Sequence, residues 1–452
     1  MNLPVCIVGA GSSGIVAAKV LAERGLSVEG FELGSDIGGI WRYRNDSGRS
    51  PAYASLQTNT SAHRTAYRCF PVEGPKDYVP NGDLLGYFES FADTFQVRDL
   101  FRFRTEVTGL AADDGAYTVT FRSRDGGAEE TRRYGAVLVA AGHHWDARLP
   151  EFEGSFDGCL FHSREYRTPS DPMDLTAKRV MVVGIGNSAC DITCEVAEVA
   201  SSTFMSTRRS AHVLPKYLLG RPIDQWVTPL SSRLSVDGQA GLLGLLVRLS
   251  RGDQRKFGIR RPEHRLGHEH PTLSQDLPRM SAEGRVDVRP DVQRIDGDTV
   301  HFIDGSSADV DVIICATGYH VSFPYMTADL LDRLDPGGAA GRVAGRIPGN
   351  RIRLYRHVVP PDCPGLFFLG LVQPLGAIPP LAEAQAEWIG DLLDGSGSLP
   401  DAAGMHDSID RTEAELRDRF VESSRHTLEV DFFPYRRLIE RERRAGRKRV
   451  GL

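Results

Sequence analysis

Short apolar runs that end in glycine or another small residue recur along the chain. The runs at residues 3–8 and 179–183 each lead into a glycine-rich turn and then into a stretch with helical spacing. A further apolar run comes after each of these helices, at residues 28–32 and 203–207. A buried strand, a glycine turn, a helix and a second strand make a βαβ unit. The pattern therefore predicts this unit twice, each in a parallel sheet.

Three more apolar runs end in small residues, at 136–142, 310–318 and 365–370. The first two predict strands that bring the chain to a domain junction, where small residues let backbones approach closely. The third precedes a predicted helix over residues 381–393. At 452 residues the chain exceeds what one hydrophobic core usually serves. We therefore predict an α/β fold with two Rossmann-like dinucleotide-binding domains, the second inserted into the first.

The first glycine turn, at residues 9–14, has the spacing of a dinucleotide-binding fingerprint. Gly9 permits the tight turn, Gly11 lets a pyrophosphate approach the backbone, and Gly14 lets the helix and strand pack closely. The next helix presents free N–H groups to the phosphates. Glu32, 18 positions after Gly14, is placed to accept the ribose hydroxyls. A turn without a ligand is the alternative, but the complete context favours FAD.

Paired glycines occur a few residues later, in Gly38-Gly39-Ile40-Trp41. Glycines at these positions would let a second loop lie against the rest of the same cofactor. Core packing is the competing interpretation for Trp41.

The second glycine turn, at residues 184–189, differs from the first in the residues after its second strand. Thr207 stands 23 positions after Gly184, as Glu32 stands 23 positions after Gly9, and two arginines come next. A carboxylate there would repel a 2′-phosphate, whereas guanidinium groups pair with it. The register therefore favours NADP(H) over NAD(H), with exposed surface arginines as the alternative.

The predicted domains are derived from these turns. Residues 1–165 and 316–452 are predicted to form the FAD domain, and residues 166–315 the NADPH domain. Residues 210–285 are rich in Pro, Arg and His and are predicted to form a loop or cap whose role the pattern does not indicate.

Taken together, the motifs resemble those of the flavin-containing monooxygenases over nearly the whole chain. Residues 156–166 match the family signature F-x-G-x-x-x-H-x-x-x-[FY] in full. The other matching segments are the two glycine turns and residues 32–41, 58–61, 207–209, 316–319 and 371–378. Because the chain ends in RRAGRKRVGL rather than in a hydrophobic tail, it looks like a soluble, bacterial-type member.

The resemblance implies an enzyme that uses FAD, NADPH and O2 to oxygenate a nucleophilic nitrogen or sulfur of a small molecule through a C4a-hydroperoxyflavin. Asn59 matches the asparagine that hydrogen-bonds near the flavin and the nicotinamide, and it is the predicted catalytic residue. A second type of family member has His there. Tyr166 stands where related Baeyer–Villiger enzymes usually carry Trp, which disfavours ketone-to-ester chemistry.

Three other functions stay open. They are an NADPH oxidase that releases H2O2, Baeyer–Villiger oxygenation, and a non-catalytic regulatory protein that binds both dinucleotides. The resemblance alone implies a homodimer.

The predicted cofactor-binding residues are those that the spacing and the resemblance single out. They are Gly9, Gly11, Ser12, Ser13, Gly14, Glu32, Gly39, Ile40, Trp41, Thr58, Asn59, Thr60, Gly184, Gly186, Asn187, Ser188, Ala189, Thr207, Arg208, Arg209, Thr317 and Gln373.

Composition excludes several other classes of protein. The formal net charge of -6 gives no reason to expect nucleic acid as a partner. No apolar stretch approaches the ~18 residues that cross a membrane, and the start of the chain lacks a signal-peptide pattern. Seven cysteines without a C-x-x-C pair indicate a reducing compartment, so the predicted location is the cytoplasm.

Three further groups of residues have ordinary structural interpretations. His264, His268 and His270 lie in a loop without helical or strand register, so they are interpreted as solvated histidines and no metal site is predicted. His143 and the next residue come after a predicted strand end, where they could line the cofactor cleft, but capping and surface exposure explain them equally well. The arginines at 436–449 alternate with glutamates and predict a solvated tail helix.

Overall fold

Two compact units make up the structure. The computed structural model describes residues 3–74, 76–233, 235–335, 343, 345–419 and 426–452. The first unit comprises Met1–Ser50, Thr60–Asp146 and His320–Leu452, and the second comprises Pro51–Asn59 and Ala147–Tyr319. Each unit contains a five-stranded parallel sheet, which confirms the predicted α/β class with two Rossmann-like sheets.

The helices of the described residues divide between the units. Those of the first unit are Ser12–Glu23, Ala62–Thr65, Asn81–Thr94, Ala328–Leu334, Pro379–Leu393, Ala402–Arg419 and Phe432–Arg449. Those of the second unit are Asn187–Val196, Val236–Arg251 and Leu277–Ala282. Among the described residues, none of these helices combines the length and the apolar composition that a membrane span needs.

The parallel sheet of the first unit has strand Val5–Val8 at its centre. Across the sheet the strands are Leu366–Phe368, Ala136–Val139, Val5–Val8, Val28–Phe31 and Phe101–Arg102. The central strand and the strand Ala136–Val139 are buried at every position. A parallel strand covered on both faces is apolar throughout rather than alternating, which is why the sequence pattern identified these strands. The unit also contains antiparallel strands Thr105–Asp113, Ala116–Ser123 and Glu130–Tyr134, and the parallel pair Gln373–Leu375 and Glu429–Asp431.

The parallel sheet of the second unit repeats this plan. Its strands, in order across the sheet, are Cys159–His162, Val312–Cys315, Arg179–Val183, Ser202–Ser206 and Asp287–Arg289. A second sheet contains Ser307–Asp309, Thr299–Phe302, Val292–Gly297 and Glu153–Phe156. Two short pairs complete the unit, Val213–Leu214 with Thr272–Leu273 and Tyr217–Leu218 with Arg221–Pro222.

The predicted strands are present, but several end earlier than the apolar runs did, two of them by three residues. The run at 136–142 forms a strand only to Val139, and the run at 310–318 only to Cys315. The small residues after these strands leave the sheet and approach a glycine turn instead. The helix that follows the second glycine turn is Asn187–Val196.

The two units divide the sequence at positions that differ from the predicted domain limits at 165/166 and 315/316. Strand Cys159–His162 pairs with Val312–Cys315, so the signature segment 156–166 belongs to the second unit. Residues 51–59 belong to it as well, and the N–H of Ala54 donates to the carbonyl of Arg167 at 2.9 Å. Which cofactor each unit holds stays a prediction.

The segment 210–285 contains more regular structure than the predicted loop or cap. Its main element is the 16-residue helix Val236–Arg251. The sequence pattern missed this helix because glycines interrupt its apolar positions.

The C-terminal helix Phe432–Arg449 packs onto the first unit, so the prediction of a solvated tail was wrong. Arg443 Nε donates to Oδ2 of Asp391 at 2.8 Å, and Arg447 Nη2 donates to Oδ1 at 3.1 Å. Arg24, which follows the last residue of helix Ser12–Glu23, donates to Oδ1 at 2.7 Å. The Asp391 side chain is only 1% exposed. One buried carboxylate therefore joins three helices of the unit.

We expect Asp391→Asn to lower the free energy of unfolding by about 1.5–3 kcal/mol at neutral pH, because it removes the buried negative charge that accepts hydrogen bonds from three arginines. Burial raises the pKa of Asp391, but hydrogen bonds from the three arginines outweigh burial and hold it below its ordinary value. The stabilisation is therefore complete above the unfolded-state pKa of about 3.9 and is lost as the pH falls through the folded-state value.

Urea unfolding of the wild type and the variant from pH 7 down to pH 4 and below measures this difference. The two stabilities should converge only in acid. Asp394→Asn is the matched control, because Asp394 also pairs with Arg24 but is 26% exposed, and it should cost about 0–1 kcal/mol. Equal losses for both variants would contradict the assignment.

Candidate cofactor-binding sites

The first glycine turn has no room for side chains at two positions. Gly9 has a φ of +102°, and a Cβ there would lie 2.7 Å from the carbonyl oxygen of Ala140. A Cβ on Gly14 would lie 1.9 Å from the carbonyl oxygen of Gly9. The N–H of Gly9 donates to the carbonyl of Phe31 at 2.8 Å, which ties the turn to the next strand. These contacts place the amino end of helix Ser12–Glu23 at the carboxyl edge of the sheet, where its free N–H groups can meet phosphate.

Glu32 holds the turn as well as facing the cleft above it. Its Oε2 accepts the N–H of Ala10 at 2.8 Å, and its Oε1 accepts the N–H of Gly34 at 2.7 Å. The side chain is buried, and burial raises its pKa although the two backbone N–H groups act in the opposite direction. Each carboxylate oxygen keeps acceptor capacity for a hydroxyl group.

The loop after this strand lies against the turn, as the paired glycines predicted. The N–H of Gly38 donates to the carbonyl of Ala10 at 3.0 Å. Gly39 has a φ of +55°, and a Cβ on it would lie 2.9 Å from the Cα of Gly11. Asn45 Nδ2 donates to the carbonyl of Gly39 at 3.0 Å. Two glycine backbones therefore form a cradle that any side chain at Gly39 would fill.

A cleft of about 1100 Å³, including the part open to solvent, lies above this cradle. Eight of the predicted FAD residues line it: Gly9, Gly11, Ser12, Ser13, Glu32, Gly39, Ile40 and Trp41. Gly14 packs beneath them. A side-chain-free cradle at a helix amino end, beside a carboxylate, fits the pyrophosphate and ribose of a dinucleotide. Gln373 lies on strand Gln373–Leu375 of the same unit and is not among the lining residues.

The second unit builds its turn in the same way. Gly184 has a φ of +129°, and a Cβ there would lie 2.5 Å from the carbonyl oxygen of Ala316. The N–H of Gly184 donates to the carbonyl of Ser206 at 2.8 Å. Gly186 precedes helix Asn187–Val196, and no side chain caps its amino end. Ala189 is buried at the position that corresponds to Gly14 of the first turn, so the second turn accommodates one methyl group there.

Residues from the segment 210–285 cover the second turn. The N–H of Leu273 donates to Asn187 Oδ1 at 2.9 Å, and Thr272 Oγ1 donates to the carbonyl of Ile185 at 2.5 Å. Ser188 is exposed on the first turn of the helix. The segment whose role the sequence left open therefore supplies part of the wall beside the second nucleotide turn.

A third arginine lies beside the two that the sequence singled out. Arg208 and Arg209 are exposed, and Thr207 before them is buried. Arg260 Nη2 donates to the carbonyl of Thr207 at 2.8 Å. Among the described residues, neither Arg208 nor Arg260 forms an ion pair with a carboxylate. No sequence pattern pointed to Arg260, because 53 residues separate it from Thr207.

Asn59 lies at the end of a segment that is bound to helix Asn187–Val196. Tyr53 donates its hydroxyl to Asp191 Oδ2 at 2.6 Å, and Ser55 Oγ donates to Glu195 Oε2 at 3.1 Å. Asn59 Oδ1 is buried and has no hydrogen-bond partner among the residues that the structure describes. Thr58 is buried beside it, and Thr60 belongs to the first unit.

The signature segment and the motif at 316–319 support the second unit. Tyr166 donates its hydroxyl to Glu195 Oε2 at 2.9 Å. The Nε2 of His162 lies 3.0 Å from the carbonyl oxygen of Gly318, and burial lowers the pKa of this imidazole to about 4. Thr317 donates its hydroxyl to the carbonyl of Arg148. Thr317 therefore lies just after strand Val312–Cys315, with its hydroxyl bound to the backbone of Arg148.

The lining also includes residues that the sequence did not assign to the first cleft, among them Arg49 and Trp145, and it includes His143, whose place the sequence left open. His143 is only 7% exposed, so surface exposure was the wrong explanation for it. The sequence signal for its place in the cleft was that His143 comes shortly after strand Ala136–Val139, which ends beside the glycine turn. His264 and His268 pair with Glu269 and Asp237, and no group of three metal-binding side chains lies together in the described part of the chain.

Comparisons with known proteins agree with this arrangement. A family model described as FMO-like, flavin-binding monooxygenase-like, matches residues 3–442. Flavin-containing monooxygenase 5 of Mus musculus is 34% identical over 451 residues, which cover 95% of this chain and 80% of that protein. Dimethylaniline monooxygenase (N-oxide-forming) 2 of Rattus norvegicus is 33% identical, with 95% and 81% covered.

A solved structure, OTEMO in complex with FAD and NADP, is similar in fold. Its TM-score is 0.71 at 20% identity, and 97% of each chain is covered. The match of the family model over nearly the whole length, together with relatives above 30% identity, decides the family. This chain belongs to the flavin-containing monooxygenases.

Proposed function

We propose that this enzyme oxygenates a nucleophilic nitrogen or sulfur of a small molecule. The observation that carries the proposal is Asn59, whose buried Oδ1 is without a partner among the described residues. A buried acceptor of this kind costs free energy unless a ligand supplies a donor. The curated relative from Rattus norvegicus is named for forming an N-oxide, which supports the same substrate class.

FAD is proposed to lie in the cleft of the first unit, with its pyrophosphate on the cradle of Gly11 and Gly39 and a ribose at Glu32. NADPH is proposed to bind at residues 184–189 of the second unit. Bound NADPH supplies the hydride, and bound FAD supplies the activation of O2. The protein's part is to hold both groups and to exclude water, and the substrate needs only access and a lone pair.

Arg208, Arg209 and Arg260 are proposed to bind the 2′-phosphate of NADPH. The first two come directly after Thr207, at the position where a ribose-binding carboxylate would stand in an NAD site. The hydrogen bond from Arg260 to the Thr207 carbonyl holds the third guanidinium at the same strand end. Positive charge gathered there favours a dianionic phosphate.

Replacing Arg208 and Arg209 by Ala together should raise the KM for NADPH about 10- to 100-fold, because a charge-assisted hydrogen bond is worth about 1.5–3 kcal/mol. The KM for NADH should barely change, since NADH lacks the phosphate. Arg260→Ala should also raise the KM for NADPH and leave the KM for NADH nearly unchanged. Arg265→Ala is the control, because Arg265 is 81% exposed and lies in the same segment. Equal losses for NADPH and NADH would contradict the assignment.

Asn59 is proposed to protect oxygen transfer rather than to assist hydride transfer. Reduction needs the nicotinamide to be held in place, and the second turn and the arginines provide that anchoring. Oxygen transfer needs polar groups fixed in a dry site, where each hydrogen bond acts at low dielectric.

Asn59→Leu should therefore keep NADPH oxidation running while oxygenated product per NADPH falls about tenfold and H2O2 rises in its place. Steady-state assays that measure NADPH, product and H2O2 together would show this. Ser55→Ala, in the same segment, controls for disturbance of the chain and should stay coupled. A variant that is reduced slowly but remains coupled would show that Asn59 has another role.

The substrate class is tested with the purified enzyme, NADPH and 18O2. N,N-dimethylaniline and a methyl aryl sulfide should each yield a product carrying one 18O atom per NADPH oxidised, whereas cyclohexanone should yield no ester. H2O2 as the sole product with every substrate would favour an NADPH oxidase, and ester formation would favour Baeyer–Villiger oxygenation.

A reducing compartment such as the cytoplasm is proposed as the location. All seven cysteines of the chain are free, and burial raises the pKa of most of them. Unpaired thiols persist where the surroundings keep them reduced.

A further inference from the structure

His143 is a buried polar side chain in the wall of the first cleft. It is 7% exposed, and neither of its ring nitrogens has a hydrogen-bond partner among the described residues. The His143 ring lies against that of His144, with centroids 4.1 Å apart. Burial, and to a smaller degree His144, lowers the pKa of His143 well below its ordinary value. The side chain is therefore a neutral imidazole, with one N–H donor and one acceptor nitrogen.

A buried imidazole without partners is costly for the protein alone. Burying a polar group without a hydrogen bond is unfavourable, and such groups in folded proteins call for an explanation. The cleft that His143 lines is the one whose glycine cradle fits a dinucleotide. A ligand with hydroxyl and phosphate oxygens offers the acceptors and donors that the imidazole needs.

A series of contacts connects the residues around His143 with the side of the cleft on which Glu32 lies. Trp145, two residues on, stacks under the guanidinium of Arg49, which lies 4.4 Å from the ring centroid. Arg49 also lies 4.0 Å from the carboxylate of Glu106, and all three side chains line the cleft. The residue before Glu106 donates its N–H to the carbonyl of Glu32 at 2.8 Å. His143 thus stands on the wall that continues to the proposed ribose-binding carboxylate.

We propose that His143 binds the adenosine diphosphate half of FAD, donating one hydrogen bond to a phosphate or ribose oxygen and accepting another from a ribose hydroxyl. The inference rests on the proposed place of FAD in this cleft. It makes His143 a cofactor-binding residue, and it gives the segment after strand Ala136–Val139 a function besides packing.

The test compares His143→Phe and His143→Gln with the wild type as apoproteins. FAD affinity is measured by flavin fluorescence, ADP affinity by competition, and melting temperature with and without FAD. We expect His143→Phe to weaken FAD and ADP by the same factor, about tenfold, because both lose one hydrogen-bonded site. His143→Gln keeps a donor and an acceptor and should recover most of the affinity.

The apoprotein gives a readout that a packing role would not produce. Phe removes a polar group that has no partner among the described residues, so the apo melting temperature should not fall, while the increase caused by FAD should shrink. His357→Phe is the matched control, because His357 is a partly buried histidine of the same unit outside the cleft, where burial lowers its pKa to about 4. That variant should leave both affinities unchanged.

Other outcomes would overturn the inference. If His143→Phe lowers the melting temperature of the apoprotein and leaves FAD affinity unchanged, the role of His143 is structural. If the variant weakens the binding of FAD but not that of ADP, the contact is with the flavin half of FAD. Glu32→Gln separates the two proposals. If it weakens FAD binding and His143→Phe does not, only His143 is misassigned, whereas if neither does, FAD lies elsewhere and both assignments fail. Product formation is not a readout, so the substrate class is tested separately.

Discussion

Both units depend on one backbone contact that leaves no space for a side chain. A strand end, at Ala140 in the first unit and Ala316 in the second, presses its carbonyl against the first glycine of a nucleotide turn. Positive φ at Gly9 and Gly184 permits this contact, and any Cβ would force the strands apart. This contact sets the position of the amino end of the helix that follows each turn. The third turn position differs, because the second unit accommodates Ala189 where the first requires Gly14.

The sequence sufficed for features that are local or that repeat. Buried parallel strands are apolar throughout, and the glycine spacing identified both turns and the offset that pairs Glu32 with Thr207. Features made by distant residues were missed. Arg260 meets Thr207 across 53 positions, and Asp391 collects arginines from both ends of the chain. No pattern of neighbours encodes such contacts, because the fold alone brings the partners together.

The position of Asn59 in the fold also depends on contacts between distant residues. Its segment, residues 51–59, lies in sequence between parts of the first unit, yet it belongs to the second. Tyr53 and Ser55 bind acidic residues one helical turn apart on helix Asn187–Val196, and Tyr166 of the family signature shares the second of them. The signature thus has a physical role here, since it helps to fix the segment that ends in Asn59.

The double hydrogen bond of Glu32 has a further consequence. Its carboxylate joins Ala10 and Gly34 through hydrogen bonds within the protein, and these bonds help to hold the cradle in shape. A preorganised site avoids most of the ordering entropy that a flexible loop would lose on binding. A nucleotide that binds at the cradle therefore meets a surface already in shape, and little of its binding free energy is lost to ordering the protein.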